Sequence, residues 1–98
     1  MIIRIVKLEF LEGNEQAFLE IFEEVQMQIR GFEGCHSLEL LKGNERVTTF
    51  FTISKWESEG ALENYRNSPL FQQTWERTKA LFSSRAQAWT TASVAKIG

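Results

Sequence analysis

The sequence predicts an α+β fold in which helices cover one face of a four-stranded antiparallel sheet. Two observations lead to this fold class. The hydrophobic period alternates between two residues, as in strands, and three to four residues, as in helices, in the order strand, helix, strand, strand, interrupted helix, strand. No repeat or linker divides the 98 residues, so residues 1–98 are predicted to form one domain.

The first strand and the first helix follow from this periodicity. Residues 2–10 alternate between two faces, and Arg4 interrupts a face that is otherwise apolar. Asn14 is the expected N-cap of the helix, with a side chain that accepts from free backbone N–H groups. Apolar residues then recur at spacings of four and three until Gly31, whose missing Cβ suits a left-handed C-cap.

A hairpin is predicted next in the chain. Residues 34–41 and residues 47–54 are predicted strands. Residues 42–45, which join them, contain the Gly-Asn pair that is expected of a tight turn. The two strands should therefore pair antiparallel.

The second helical region contains a predicted break. Ser58 is expected to cap a helix that runs to about Asn67. Pro69 disfavours helical geometry at Ser68 but suits the first position of a new helix, with Ser68 as its cap. The side chains on one stripe of this new helix are Phe71, Trp75, Thr78 and Phe82.

The last predicted strand, residues 86–94, consists mostly of small side chains and completes the split β-α-β order of a ferredoxin-like fold. Several strands carry apolar residues on both faces; Phe50 and Trp89 are examples. The sheet face away from the helices therefore needs a cover. A second copy of the chain, related by a two-fold axis, is the economical cover and predicts a homodimer.

Composition excludes several classes of function. Eleven basic and thirteen acidic residues give a net charge of -2, and the basic residues form no stripe that would attract nucleic acid. Charged residues interrupt the apolar start, and no segment has membrane-spanning length, so we expect a cytoplasmic protein without a membrane partner. One cysteine and one histidine do not make a Cys/His zinc site, so no metal is expected.

Three stretches of the chain carry a resemblance to a known family. They are the opening IIRIVKLEFLEGNEQAFLEIF, the tryptophan in SKWESEGALENY, and NSPLF, which is similar to a short Ser-x-x-Phe step between helices. Over almost its whole length the chain resembles the dimeric α+β barrel superfamily and, within it, the antibiotic biosynthesis monooxygenase family. This superfamily hosts several unrelated chemistries, so the resemblance bears more on the fold than on the reaction.

The resemblance implies a pocket between sheet and helices in each subunit of a homodimer. Members of this family oxidise polycyclic phenols or hydroquinones to quinones with molecular oxygen and without metal, flavin or haem. Haem-degrading relatives pair a helical tryptophan with an iron-binding histidine ten residues later. Tyr65 and Trp75 stand at those places in this sequence, so iron has no ligand there and no cofactor is expected.

The candidate catalytic residues are His36, Tyr65 and Trp75. A histidine side chain ordinarily titrates near neutral pH, which suits a general base, although His36 can equally be a partly exposed strand residue. The resemblance places Tyr65 and Trp75 in the pocket wall. The alternative is that both only fill the core, as aromatic residues on amphipathic helices do.

The candidate substrate-binding residues are Arg4, Asn64 and Arg85. Arg4 breaks an apolar strand face, which suggests a function, although a guanidinium in solvent at a sheet edge explains it as well. Arg85 precedes the last strand and would either hold an anionic oxygen or sit near a helix C-terminus. Asn64 and Arg66 flank Tyr65 on one helix, so at most one of these three should share the pocket.

The leading hypothesis is a cofactor-independent monooxygenase, an oxidoreductase acting on a small aromatic phenol or hydroquinone with molecular oxygen. Trp75 and Tyr65 would hold the ring and donate hydrogen bonds, with His36 or an arginine assisting proton loss. One alternative is an isomerase that moves a proton on a small carbonyl compound and needs His36 as its acid and base. Another is a non-catalytic or stress-related module that binds a small apolar ligand.

Overall fold

The structure is a computed structural model that describes residues 1–98 and confirms the α+β, ferredoxin-like element order. The elements are β1 Ile2–Glu9, α1 Glu15–Arg30, β2 Cys35–Lys42, β3 Thr49–Trp56, α2 Glu59–Arg66, α3 Pro69–Lys79 and β4 Gln87–Ala92. The four strands form one antiparallel sheet in the order β2-β3-β1-β4. None of the three helices has the length and apolar character that a membrane crossing requires.

The main core lies where the first helix packs on the middle of the sheet. Leu8, Phe10, Phe18 and Phe50 are each at most 3% exposed and contact one another. The ring of Phe18 on α1 stacks on that of Phe10 with a centroid distance of 4.5 Å. Burial of these rings holds α1 on the sheet, because each removes a large apolar surface from water.

A second core cluster lies at the other end of the sheet, around the last residue of β3. Trp56 is 0% exposed and contacts Cys35 of β2 and Leu62 of α2. Its indole Nε1 donates to Ser54 Oγ at 2.9 Å, so the buried donor has a partner. This cluster fixes the position of α2 over β2 and β3.

The first helix begins and ends where the periodicity predicts, with Asn14 and Gly31 at its two cap positions, but the geometry predicted for each cap is wrong. The side chain of Asn14 accepts no capping hydrogen bond; its Nδ2 instead donates to Leu81 O at 3.3 Å. Gly31 has φ -82, so it is right-handed. Three residues later, Gly34 does have a positive φ of 88, and an added Cβ there would lie 2.5 Å from the Cβ of Ala61.

Two further boundaries differ from the sequence prediction. The antiparallel pairing of β2 with β3 is confirmed, but residues 43–48 connect them in place of a tight turn. The third helix ends at Lys79, so Phe82 lies beyond it and pairs with Phe10 in an isolated bridge. In both places, the residues beyond the predicted element contact the end of β1 or the residue after it.

The carboxylate of Glu9, at the end of β1, binds the loop that precedes β3. It accepts from Thr48 Oγ1 at 2.6 Å and from Thr49 Oγ1, and Arg46 Nη2 lies 3.6 Å away. The hydroxyl of Thr48, followed by that of Thr49, holds the pKa of Glu9 below its usual range. These bonds explain why β3 starts at Thr49.

We expect Glu9→Gln to lower the free energy of unfolding at pH 7 by about 1–2 kcal/mol, since a charged acceptor with two donors becomes neutral. A lowered folded-state pKa stabilises the fold above the unfolded pKa, and this stability is lost as pH falls through the folded value. The difference in free energy of unfolding between wild type and Glu9→Gln should therefore have its full value above about pH 5 and become smaller below about pH 4.3. Urea unfolding across this range measures it, with exposed Glu20→Gln as the control; a difference that does not change with pH would contradict the expectation.

Candidate functional site

A cavity of about 350 Å³ lies between the helices and the sheet. Of its 21 lining residues, 15 are hydrophobic, which suits an apolar ligand. Its volume is near the lower end of the roughly 300–1,000 Å³ typical of ligand sites, so the ligand should be small. Along β1 the lining includes Arg4, Val6 and Leu8, which at the usual strand rise covers about 13 Å.

One side of the cavity is an unbroken row of aromatic rings, here called the aromatic wall: Trp56, Tyr65, Phe71 and Trp75. Phe82 continues this row outside the lining. Trp56 stacks on Tyr65 with a centroid distance of 4.9 Å. Tyr65 meets Phe71 edge-on at 5.3 Å, and Phe71 stacks on Trp75 at 5.8 Å. Trp75 then meets Phe82 at 5.5 Å. Such a wall offers ring faces and edges to an aromatic ligand.

The predicted helix break holds the two halves of the wall together. Ser68 accepts from the Phe71 backbone N–H at 3.2 Å, as a helix cap does, and donates from Oγ to Tyr65 O at 2.6 Å. Pro69 occupies the first position of α3, as predicted. One side chain thus joins the end of α2 to the start of α3, which keeps Tyr65 beside Phe71.

Several polar groups on the cavity surface have no hydrogen bond within the chain. They are the hydroxyls of Tyr65, Thr52 and Thr74 and the indole N–H of Trp75, all on lining residues. Burial, and secondarily the nearby Cys35, raises the pKa of Tyr65, so this phenol remains a proton donor at neutral pH. These groups can donate to an oxygen atom of a ligand.

Two arginines give the cavity a positive charge. Arg4 Nη1 donates to Thr90 Oγ1 on β4 at 2.7 Å, which orients the guanidinium. Arg66 Nη1 lies 3.4 Å from a carboxylate oxygen of Glu63, in an exposed pair. Burial, followed by the charge of Arg66, lowers the pKa of Arg4, so the two cations are within electrostatic reach of each other. The lining includes no Asp, Glu or His.

The structure brings three of the six predicted site residues to one cavity: Arg4, Tyr65 and Trp75. Arg4 is on the helix-facing side of β1, where the register sets it opposite Ser54 and Thr90. The alternative of an edge arginine in solvent is wrong, because β1 lies between β3 and β4. The assignment of roles to these residues remains a prediction.

The other three predicted site residues lie outside the cavity. His36 is exposed and sits at a register shift between Cys35 and Ser37, where β2 has one more residue than β3. Asn64 is exposed on α2. Arg85 is exposed and borders a separate polar depression. None of the three is among the residues that line the cavity.

Arg66 is the lining residue that the sequence interpretation missed. The expectation that at most one of Asn64, Tyr65 and Arg66 shares the pocket is wrong, because Tyr65 and Arg66 both line it. They lie three and four positions after buried Leu62, which also lines the cavity. Residues at these spacings share one helix face, so the signal was present in the sequence.

No group of three or more His, Cys, Asp or Glu side chains is placed to hold a metal ion. The lone Cys35 is buried, and burial raises the pKa of its thiol. The polar chemistry of the cavity therefore consists of neutral donors and two guanidinium groups.

Comparisons with known proteins agree with this architecture. The sequence matches the family model described as antibiotic biosynthesis monooxygenase over residues 1–77. No curated protein matches the sequence. Among solved structures, one described as an antibiotic biosynthesis monooxygenase is 16% identical with a TM-score of 0.90, covering 97% of this chain and 100% of its own.

Two further solved structures are similar over nearly their whole length. A Mycobacterium tuberculosis protein is 15% identical with a TM-score of 0.89, covering 99% of this chain and 98% of its own. A Pseudomonas aeruginosa protein is 19% identical with a TM-score of 0.85, covering 96% of this chain and 94% of its own. At such low sequence identities, the structural similarity establishes the fold alone.

Proposed function

Since the chain belongs to the antibiotic biosynthesis monooxygenase family, we propose that it oxidises a small aromatic phenol or hydroquinone with molecular oxygen inside the cavity. The observation that carries the proposal is the cavity itself: an apolar volume with an aromatic wall, free neutral donors and two cations. Apolar walls exclude water and hold a ring, and fixed donors and cations stabilise an oxyanion.

The chemistry can run on the substrate and oxygen alone. A phenolate is electron-rich enough to pass an electron to oxygen, so the protein needs to favour the phenolate. For an anthrone-like phenol, the ring CH₂ loses two hydrogens and gains one oxygen atom as a carbonyl. The second oxygen atom leaves with those two hydrogens as water. Both oxygen atoms are accounted for, and no external reductant is required.

The lining residues have distinct roles in this proposal. The aromatic wall holds the ring and the Trp75 N–H donates to the developing oxyanion, while the Tyr65 hydroxyl donates to a ligand oxygen further along the wall. The charges of Arg4 and Arg66 favour the phenolate over the neutral phenol. The isomerase alternative lacks support, since neither His36 nor any carboxylate lines the cavity.

Oxygen uptake by chelator-treated protein, with a panel of anthrone-like phenols and hydroquinones, tests the proposal. We expect oxygen uptake to saturate with substrate concentration and to exceed the uncatalysed rate. One O₂ molecule should be consumed for each quinone formed from an anthrone. Ala88 lines the cavity and is exposed, so Ala88→Trp should narrow the opening and abolish uptake. Ala95→Trp, outside the strands, is the matched control. Absence of uptake with every compound, or undiminished uptake by Ala88→Trp, would refute the proposal.

We also propose that the working unit is a homodimer formed through the sheet face away from the helices. By the pairing register, this face carries Ile3, Ile5, Phe51, Ile53 and Trp89. Trp89 is 45% exposed, although such a large ring gains most from burial. Light scattering should give twice the 11.4 kDa of one chain; a mass equal to one chain would exclude this assembly.

A further inference from the structure

We infer that the substrate is an aromatic carboxylate, whose carboxyl group is held by Arg4 and Arg66 at the end of the cavity opposite Trp75. This inference rests on the proposed function, because it names the class of phenol that the cavity takes. Three observations support it: the position of the two arginines, the hydrogen bonds that they already make within the chain, and the absence of acidic residues from the lining.

The arginine end and the Trp75 end of the cavity are separated along β1. Trp75 packs against the cluster that contains Leu8, whereas Arg4 is four residues earlier on the same strand face. At the usual strand rise this separation is about 13 Å. A phenol oxygen beside Trp75 would therefore leave the arginines free to bind a second group of the ligand, across the ring.

Most N–H donors of the Arg4 guanidinium make no hydrogen bond within the chain. One N–H is used by Thr90, and no carboxylate lies within salt-bridge distance of the group. An arginine carries five N–H donors in a planar fork that matches a carboxylate. Arg4 lies on a central strand, faces an apolar cavity and has no carboxylate in direct contact, whereas a partly buried cation ordinarily has one.

Arg66 adds a second cation without neutralising the first. Its contact with Glu63 is an exposed pair, with side chains 42% and 59% exposed. The charge of Glu63 also acts on Arg4, in the opposite sense to burial and to the charge of Arg66, and it is the smallest of the three effects. Two cations within electrostatic reach of each other repel, and an anion between them removes that cost.

Calorimetric titration without oxygen tests this inference. The ligands are a hydroxynaphthoate with hydroxyl and carboxylate at opposite ends of the ring system, its primary amide and the parent naphthol. We expect the acid to bind at least 10-fold more tightly than the amide or the naphthol, since charged hydrogen bonds to both arginines are at stake. Equal binding of all three, or binding of none, would overturn the inference.

Variants locate the binding group. Arg4→Met and Arg66→Met keep the apolar stem and should each weaken binding of the acid at least 10-fold while changing that of the amide less than threefold. Arg77→Met removes an exposed cation outside the cavity and is the matched control. Arg66 is exposed enough that its replacement leaves the core intact, so failure of Arg4→Met to fold would not prevent the test.

The binding assay separates this inference from the proposed function. Selective binding of the acid, lost in the arginine variants, supports the inference even if no oxygen is consumed. Oxygen uptake with the naphthol as efficient as with the acid, together with equal affinities, would overturn the inference and leave the oxygenase proposal standing.

Discussion

Replacing Trp75 by phenylalanine is expected to lower kcat for oxygen uptake by about 100-fold, the usual cost of removing one donor to a developing oxyanion. The substitution keeps an aromatic ring against Phe71 and Phe82 and deletes the indole N–H, which has no partner within the chain. KM should change little, since the lost bond matters most in the transition state. Initial rates at an oxygen electrode over a range of phenol concentrations measure both constants.

Two companion variants make this result interpretable. Tyr65→Phe removes the other donor of the aromatic wall and should also lower kcat, with the ring contacts to Trp56 and Phe71 kept. Arg77→Met changes a side chain outside the cavity and should leave kcat within about twofold of wild type. If Trp75→Phe retained wild-type kcat, the indole N–H would have no part in the reaction.

Replacing Trp56 by alanine is expected to lower the free energy of unfolding by about 3–5 kcal/mol, the usual cost of truncating a fully buried tryptophan. Its ring is 0% exposed, stacks on Tyr65 and joins β2, β3 and α2 in one cluster. Such a loss is a large fraction of the roughly 5–15 kcal/mol that holds a small domain together. Urea unfolding followed by circular dichroism measures it.

A milder variant separates packing from hydrogen bonding at this position. Trp56→Phe keeps a ring but leaves Ser54 Oγ without its donor, and should cost about 1–3 kcal/mol. Met27→Ala truncates a side chain that is 75% exposed and should change stability by less than about 0.5 kcal/mol. A loss below about 1 kcal/mol for Trp56→Ala would show that the second core cluster is not important for stability.

The elements that sequence analysis predicted correctly are those whose signals are local. Ser58 and Ser68 cap α2 and α3 as expected, because each bond joins a side chain to a backbone N–H three residues later. The predictions that failed depend on distant partners. Residues 43–48 form a longer loop because Thr48 and Thr49 bind Glu9, some forty positions away in sequence.

The same difference between local signals and contacts with distant residues applies to the candidate site. Tyr65 and Trp75 could be selected because helical spacing and a family resemblance both pointed to them. Arg66 could have been selected from its spacing to Leu62, which is a local signal. The exposure of His36 had no such signal, because a register shift appears only when two strands pair.

By itself, the sequence determined the element order, the helix break with its two serine caps, and the family. Only the tertiary structure decided that Arg4, Arg66, Tyr65 and Trp75 line one cavity and that His36 does not. The physical reason is that a cavity is bounded by residues far apart in the chain. The bond that orients Arg4 spans 86 positions, and no periodicity within a strand or helix encodes such a contact.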